Sequence, residues 1–288
     1  MKQTKDLQKV IESARECYDH FLYWPHYYKK FPPIECSVAL KEVHKEKNHA
    51  LFYAYPFDHN LLTTIPYFNA SPMQFGANRY IASQGPRHET LSDFWEMIWG
   101  ENSELIVSVT NEREEEGMGH RYKFDAFWPQ HQSQEFGNFK VALLKDEVIK
   151  RWDDGRVEQI RLRQCEVTYQ GEKKIVHQLH MENWMDGSIV YPESLIELSL
   201  SADRWKGEGP ILVHCAAGIG RTGTFIAFHS LYHDLLNALK RSESHAHFDI
   251  LKRVAEMREK RYGPMIAAKI QFLLLVEALD LALLKLSN

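Results

Sequence analysis

Residues 4–30 carry apolar positions at helical spacing and run into the aromatic cluster Phe21-Leu22-Tyr23-Trp24, which predicts a helix packed onto the core that follows. From about residue 104 the period shortens. Leu105-Ile106-Val107-Ser108-Val109 is the near-continuous apolar run of a buried strand. Several strands alternate between 138 and 180, with turn pairs at Asp154-Gly155 and Gln170-Gly171. Ile211-Leu212-Val213 predicts one more buried strand. Helical spacing returns after 192 and dominates from 222 onwards, where Phe225, Ile226, Phe228, Leu231, Leu235 and Leu239 mark one face. Strands in the middle with helices around them predict an α/β fold: a twisted mixed sheet flanked by helices on both faces. No Pro/Gly/Ser-rich linker or internal repeat interrupts this pattern. One domain over residues 1–288 is therefore expected, with 1–40 a helical extension packed on it.

Composition narrows the function classes. At 44% hydrophobic and 12% aromatic residues the chain can bury a large core, which excludes a disordered protein. Lys and Arg number 35 against 39 Asp and Glu, a net charge of −4, which argues against nucleic acid as a partner. Cys17, Cys36, Cys165 and Cys215 show no disulfide-framework spacing, so a reducing, cytoplasmic setting is expected. The opening residues do not read as a signal peptide; export by a signal-independent route would leave no mark here. Ile270–Leu286 is the most apolar stretch, but Glu277, Asp280 and Lys285 interrupt it, so it reads as a packing helix and no membrane span is expected.

The candidate chemistry lies between the last predicted strand and the long helix. Residues 213–223 read Val-His-Cys-Ala-Ala-Gly-Ile-Gly-Arg-Thr-Gly. A loop entering a helix N-terminus offers unpaired N–H groups and a positive dipole end. Small residues at Ala216, Ala217, Gly218 and Gly220, with Ile219 between the glycines, let that backbone curl around an anion. Arg221 adds a planar fork suited to two phosphate oxygens. Such a field lowers a thiol from ~8.5 to roughly 3.5–7.5, and Cys215 sits in it. His214 is expected to support the sulfur through a hydrogen bond, and Thr222 to donate a hydroxyl to it when it leaves. Nucleophilic attack on phosphorus follows, with a phosphocysteine intermediate.

These residues resemble the signature of cysteine-dependent protein tyrosine phosphatases. Residues 79–99, Arg-Tyr-Ile-Ala-Ser-Gln-Gly-Pro-Arg-His-Glu-Thr-Leu-Ser-Asp-Phe-Trp-Glu-Met-Ile-Trp, are similar to a second stretch of the tyrosine-specific branch. Pro56-Phe57-Asp58-His59, Tyr67-Phe68-Asn69-Ala70-Ser71 and Phe127-Trp128-Pro129-Gln130 are smaller echoes in the same order, so the resemblance spans about residues 45–280. It implies hydrolysis of phosphotyrosine in proteins or peptides without a cofactor. It also implies a general acid on a mobile Trp-Pro-Asp loop, matched here by Trp184-Met185-Asp186 with methionine in place of proline. Asp186 is the implied acid and later base. The family's water-positioning glutamine falls on Ala267 and is missing here, while a second glutamine four residues on is matched by Gln271, an implied substrate-binding residue. Its substrate-tyrosine loop falls on 47–55, where Phe52, Tyr53 or Tyr55 is the implied aromatic wall and no Asp precedes Asp58. A glutamate near Glu114, Glu115 or Glu116 is implied to pair with Arg221, although the run by itself reads as a solvated loop.

Two other readings stay in view. Ala267 and Met185 suit a phosphotyrosine-binding pseudophosphatase with little turnover. A phosphoinositide phosphatase would favour lysines in the cysteine loop, and this loop has none. His229 and His233 lie four apart on the predicted helix with Asp234 beside them, the spacing of a metal face. The sequence places no third ligand there, so no metal is expected. Oligomeric state is not readable from the sequence.

Overall fold

The computed structural model describes residues 2–16, 33–48, 54–116, 119–241 and 248–287. Helix α1 (Lys2–Glu16) is followed by a short helix α2 (Glu42–Lys45) and strand β1 (Tyr55–Pro56). Strands β2 (Ala70–Phe75) and β3 (Asn78–Ser83) lead into helix α3 (Leu91–Gly100) and strand β4 (Leu105–Ser108). A separate hairpin, β5 (Arg113–Glu116) and β6 (Gly119–Tyr122), precedes the meander β7 (Ser133–Phe136), β8 (Phe139–Lys150), β9 (Gln159–Tyr169) and β10 (Glu172–Glu182). Helix α4 (Pro192–Trp205), strand β11 (Ile211–His214) and helices α5 (Gly220–Arg241) and α6 (Ile250–Arg258) come next. Strand β12 (Arg261–Tyr262) and helix α7 (Lys269–Ser287) complete the order.

Eight strands form one mixed sheet in the order β2-β3-β11-β4-β10-β9-β8-β7. Strand β11 sits inside it, parallel to both β3 and β4, and β10 runs parallel to β4. Its two faces pack separate cores. Leu212 joins Ile81, Ile106, Phe94 and Trp95 under α3, whereas Ile211 and Val213 join Leu105, Val107, Phe225 and Leu275 under α4, α5 and α7. All four β11 residues are buried, which is why the sequence shows a run and not an alternation. Gln170 and Gly171 both take positive φ, +51° and +85°, as the two-residue turn between β9 and β10 requires.

Helix α7 packs against α1, α4 and α5. Among the described residues no helix is long and apolar enough to cross a membrane. The N-terminal helix buries Leu7, Ile11 and Ala14, one face of three turns, in the larger core, and Gln8 Nε2 donates to Asp280 Oδ1 at 2.9 Å. The expected 4–30 helix is described only up to Glu16. Cys17 and the Phe21–Trp24 cluster lie outside the described residues.

Candidate active site

The loop from Cys215 to Ile219 leaves the carboxyl end of β11 between two parallel neighbours, where α/β sheets open a crevice. Its carbonyls are all occupied from outside. His214 Nδ1 donates to the Cys215 carbonyl at 3.2 Å, and Gly85 N to that of Ala216 at 2.9 Å. Arg261 Nη2 and Nε donate to the carbonyls of Ala217 and Gly218, each at 2.9 Å. The Ile219 carbonyl accepts from Gly223 N at 2.9 Å and Ile266 N at 3.1 Å. In a planar trans peptide the N–H points opposite its carbonyl. Five carbonyls turned outward therefore turn the N–H groups of Ala216 to Gly220 towards the inside of the loop. One is already engaged: Gly218 N donates to Cys215 Sγ at 3.3 Å.

Two glycines make this curl possible. Gly218 has φ +73°, and a Cβ there would sit 2.2 Å from the Ser83 carbonyl oxygen. A Cβ on Gly85 would sit 2.6 Å from Phe124 Cβ and 2.7 Å from the Cys215 carbonyl. The Gln-Gly-Pro stretch is thus part of the loop's outer wall.

The hydrogen bond that His214 makes to Cys215 goes to its backbone carbonyl. A carbonyl only accepts, so Nδ1 carries the proton, and Nε2 accepts from Ser108 Oγ at 2.7 Å. Burial pushes this imidazole down to about 3, so it is neutral at pH 7.

Arg221, 1% exposed at its side chain, gathers the remaining groups. Its Nη1 donates to Glu114 Oε1 and to the Trp184 carbonyl, and Nη2 lies 3.3 Å from Asp186 Oδ1. Glu114 is buried, which corrects the solvated-loop reading for this residue. Its Oε1 also accepts from Thr110 Oγ1 at 2.9 Å and its Oε2 from Asp186 N at 2.8 Å. Lys123, with no exposed side-chain surface, lies 3.2 Å from Asp186 Oδ2 and 3.6 Å from Glu114 Oε2. Two buried cations and a buried carboxylate therefore converge on a half-exposed aspartate. The chain around that aspartate turns on the buried Trp184, whose Nε1 donates to the Ser188 carbonyl at 3.1 Å. Asn111 Nδ2 donates to Met185 Sδ at 3.3 Å.

A family model for protein-tyrosine phosphatases matches residues 28–280. This chain belongs to the protein-tyrosine phosphatase family. Tyrosine-protein phosphatase 2 of Dictyostelium discoideum is 34% identical over 216 residues, 73% of this chain and 53% of that protein. Human receptor-type tyrosine-protein phosphatase alpha is 30% identical over 263 residues, 86% of this chain and 31% of that protein. The chain thus spans about half or less of the length of these curated relatives. The catalytic domain of human protein tyrosine phosphatase non-receptor type 18 shares the fold, with a TM-score of 0.75 at 24% identity over 97% of this chain and 96% of that one. A structure of PTPN18 in complex with HER2-pY1196 phosphopeptides gives 0.77 at 23% identity, over 96% of this chain and 93% of that one.

The other expected residues of this phosphatase-family site are placed as follows. Thr222 Oγ1 is buried and makes no hydrogen bond, to Cys215 Sγ or to any other described group. Gln271 is buried against the loop: a Cβ on Gly220 would meet its Oε1 at 2.9 Å and its Nε2 at 3.2 Å. The Ala267 methyl lies 3.5 Å from that same point, so both positions border Gly220. Tyr53 and Phe52 lie outside the described residues. Tyr55 stacks on Tyr262, with ring centroids 6.5 Å apart, beside the small core of Phe57 and Tyr67. Asp58 caps a turn instead of facing a ligand: Oδ1 accepts from Val38 N at 2.9 Å and Oδ2 from Ser37 N at 3.0 Å. Burial pushes the Cys36 and Cys165 thiols up to about 12, which disfavours their thiolates.

Sequence reasoning missed Arg261 and Lys123. Arg261 is fully buried and also binds Asn69 Oδ1 at 2.7 Å and Ser71 Oγ at 3.3 Å. Asn69 and Ser71, part of the Tyr67–Ser71 stretch that resembles the family, hold this guanidinium.

Proposed function

We propose that this chain is a protein-tyrosine phosphatase that hydrolyses phosphotyrosine through a phosphocysteine intermediate. The outward turn of all five carbonyls from Cys215 to Ile219 carries the reading, because it builds an anion cradle around a sulfur. Cys215 Sγ, as thiolate, attacks phosphorus; the S–P bond forms as the bond from phosphorus to the aryl oxygen breaks. Asp186 gives its proton to the departing phenolate. Water then attacks phosphorus, Asp186 takes a proton from it, and the S–P bond breaks to return thiolate and release phosphate. Arg221 and the loop N–H groups hold the equatorial oxygens throughout, where charge accumulates. Glu114 supports this role by fixing the guanidinium's orientation.

The substrate class is a phosphotyrosine-containing protein or peptide, in keeping with the phosphopeptide complex of PTPN18. A reducing, cytoplasmic compartment suits a free nucleophilic thiol. The described core runs from α1 to α7 and supports a single catalytic domain with the N-terminal segment packed on it. Purified protein in the presence of a chelator should hydrolyse an aryl phosphate and a phosphotyrosine peptide, and Cys215→Ser should abolish both. Full activity in that variant overturns the proposal.

A pseudophosphatase reading is favoured by one observation: Ala267, bordering Gly220, has no amide with which to orient water. Mass spectrometry of protein quenched during turnover separates the two. A phosphorylated Cys215 that persists after substrate is exhausted supports the pseudophosphatase, and rapid return to free thiol supports the enzyme.

A further inference from the structure

Helix α5 carries the cysteine loop at its N-terminus and a second constellation two turns further on. His229 and His233 stand on one face, as the i, i+4 spacing dictates, with ring centroids 4.9 Å apart. The third member is Asp203 of α4. The sequence neighbour Asp234 is not involved: its carboxylate pairs with Arg253 at 2.7 Å. Asp203 Oδ1 lies 3.4 Å from His229 Nε2 and 3.0 Å from His233 Nε2, and the three ligand atoms lie within 4.8 Å of one another. A tetrahedral ion about 2.0–2.1 Å from each ligand spaces its ligands roughly 3.3 Å apart.

We propose that Asp203, His229 and His233 form a zinc-class divalent cation site that joins α4 to α5. An ordinary charge network would leave each ring nitrogen hydrogen-bonded. His229 is fully buried, and its Nε2 makes only a long contact to Asp203 Oδ1 at 3.4 Å, an ion pair and not a well-formed hydrogen bond. Its other nitrogen, Nδ1, is 2.7 Å from the buried Tyr80 hydroxyl. Metal-bound histidines use their second nitrogen this way, which fixes the ring and turns the Nε2 lone pair to the ion. Two imidazoles and one carboxylate suit Zn²⁺ better than Mg²⁺ or Ca²⁺, which prefer all-oxygen shells. His233 and Asp203 are about one-quarter exposed, so the approach is from their side and a fourth position is left for water. Lys206 Nζ lies 2.7 Å from Asp203 Oδ1 and is the competing cation.

The test uses the full chain carrying Cys215→Ser, so that the reactive thiolate contributes no metal ligand. Zn²⁺ alone is titrated in competition with a chromophoric chelator, and Co²⁺ is followed by its visible absorption. One equivalent should bind, with the intense Co²⁺ bands of a tetrahedral site. His233→Ala and Asp203→Asn should each weaken binding by more than about 100-fold, and Tyr80→Phe by roughly ten- to hundredfold, as loss of an outer partner does. Lys206→Met should tighten it. Because His233 is partly exposed, its variant tests the site even if Asp203→Asn folds poorly. Affinity unchanged in His233→Ala, or no binding by the folded parent at micromolar Zn²⁺, overturns the proposal.

Discussion

Between Ala216 and Ile219 every carbonyl is taken by a partner from elsewhere in the fold, whereas between Trp184 and Ser188 the chain is fastened partly to itself. The first loop rests on Gly85, just beyond β3, on Ile266 and on the fully buried Arg261 of β12, so its shape is set before any ligand arrives. The second hangs from one buried tryptophan and reaches the first through Arg221, Glu114 and Lys123. Anion binding needs preorganised donors, which cost no reorganisation at the moment of reaction. Proton transfer needs a group that can approach and withdraw with substrate. On the proposed function the two loops match those needs, and their separate failures should be distinguishable.

Asp186→Asn gives the largest contrast. It keeps the shape and removes the proton, so kcat should fall by roughly 10²–10⁴. Vanadate or phosphate affinity, which belongs to the cysteine loop, should change little. Equal losses in turnover and anion affinity would argue against the acid role.

Arg261→Met attacks the other loop. It leaves the Ala217 and Gly218 carbonyls, Asn69 Oδ1 and Ser71 Oγ without their donor. Buried acceptors left unpaired cost about 1–3 kcal/mol each, so the peptides should rotate and the inward N–H groups should be lost. We expect kcat/KM to fall by roughly 10²–10³, with anion affinity falling alongside and thermal stability reduced. A variant with normal vanadate affinity would show that the cradle does not depend on this arginine.

The two regions also differ in how much of them the sequence discloses. Strand β11, the loop and α5 are contiguous, and their small-residue run and apolar spacing are local signals. The strand–loop–helix that carries Cys215 and Arg221 could therefore be placed in advance, as could the mixed sheet with helices on both faces. Arg261 and Lys123 could not, because a single cation in a polar context reads as surface until tertiary structure buries it. Glu114 sat in a run of charges whose plain meaning is solvent exposure, and only the fold turns it inward. The same holds for Asp203, 26 residues upstream of the histidine pair it meets. Local periodicity carries elements; the partners that cross between elements are set by packing.

Beneath the cysteine loop lie two buried, neutral histidines, and they give the rigid region a pH signature. Burial pushes His180 down to about 4 and His214 to about 3. Below about pH 6.5 the unfolded chain binds a proton at each, while the folded chain does not until those lower values. Stability is therefore fully present above about 6.5 and is lost as pH falls towards 4. Each histidine contributes a slope of up to about 1.4 kcal/mol per pH unit. Urea unfolding at pH 7 and pH 5 should show a clear drop at the lower pH, and a His214→Gln variant should show a smaller one. A flat profile between 7 and 5 would contradict neutral burial of these rings.

Met185→Pro is the mildest change and bears directly on the comparison, because it stiffens only the acid loop. Proline fixes φ and narrows the unfolded ensemble, an effect worth about 0.4–1 kcal/mol where the native backbone accepts it. It also removes the sulfur that Asn111 Nδ2 touches at 3.3 Å, a weak contact whose loss should matter little. If loop closure limits turnover, this free energy becomes a two- to fivefold rise in kcat, about what 0.4–1 kcal/mol supplies. The carbonyl of the Trp184–Met185 peptide is held by Arg221 Nη1, so vanadate affinity, measured beside kcat, should stay the same where proline leaves that peptide in place. A fall in kcat instead would mean that the methionine's freedom serves turnover, by letting product leave, and that the acid loop is tuned for opening more than for closing.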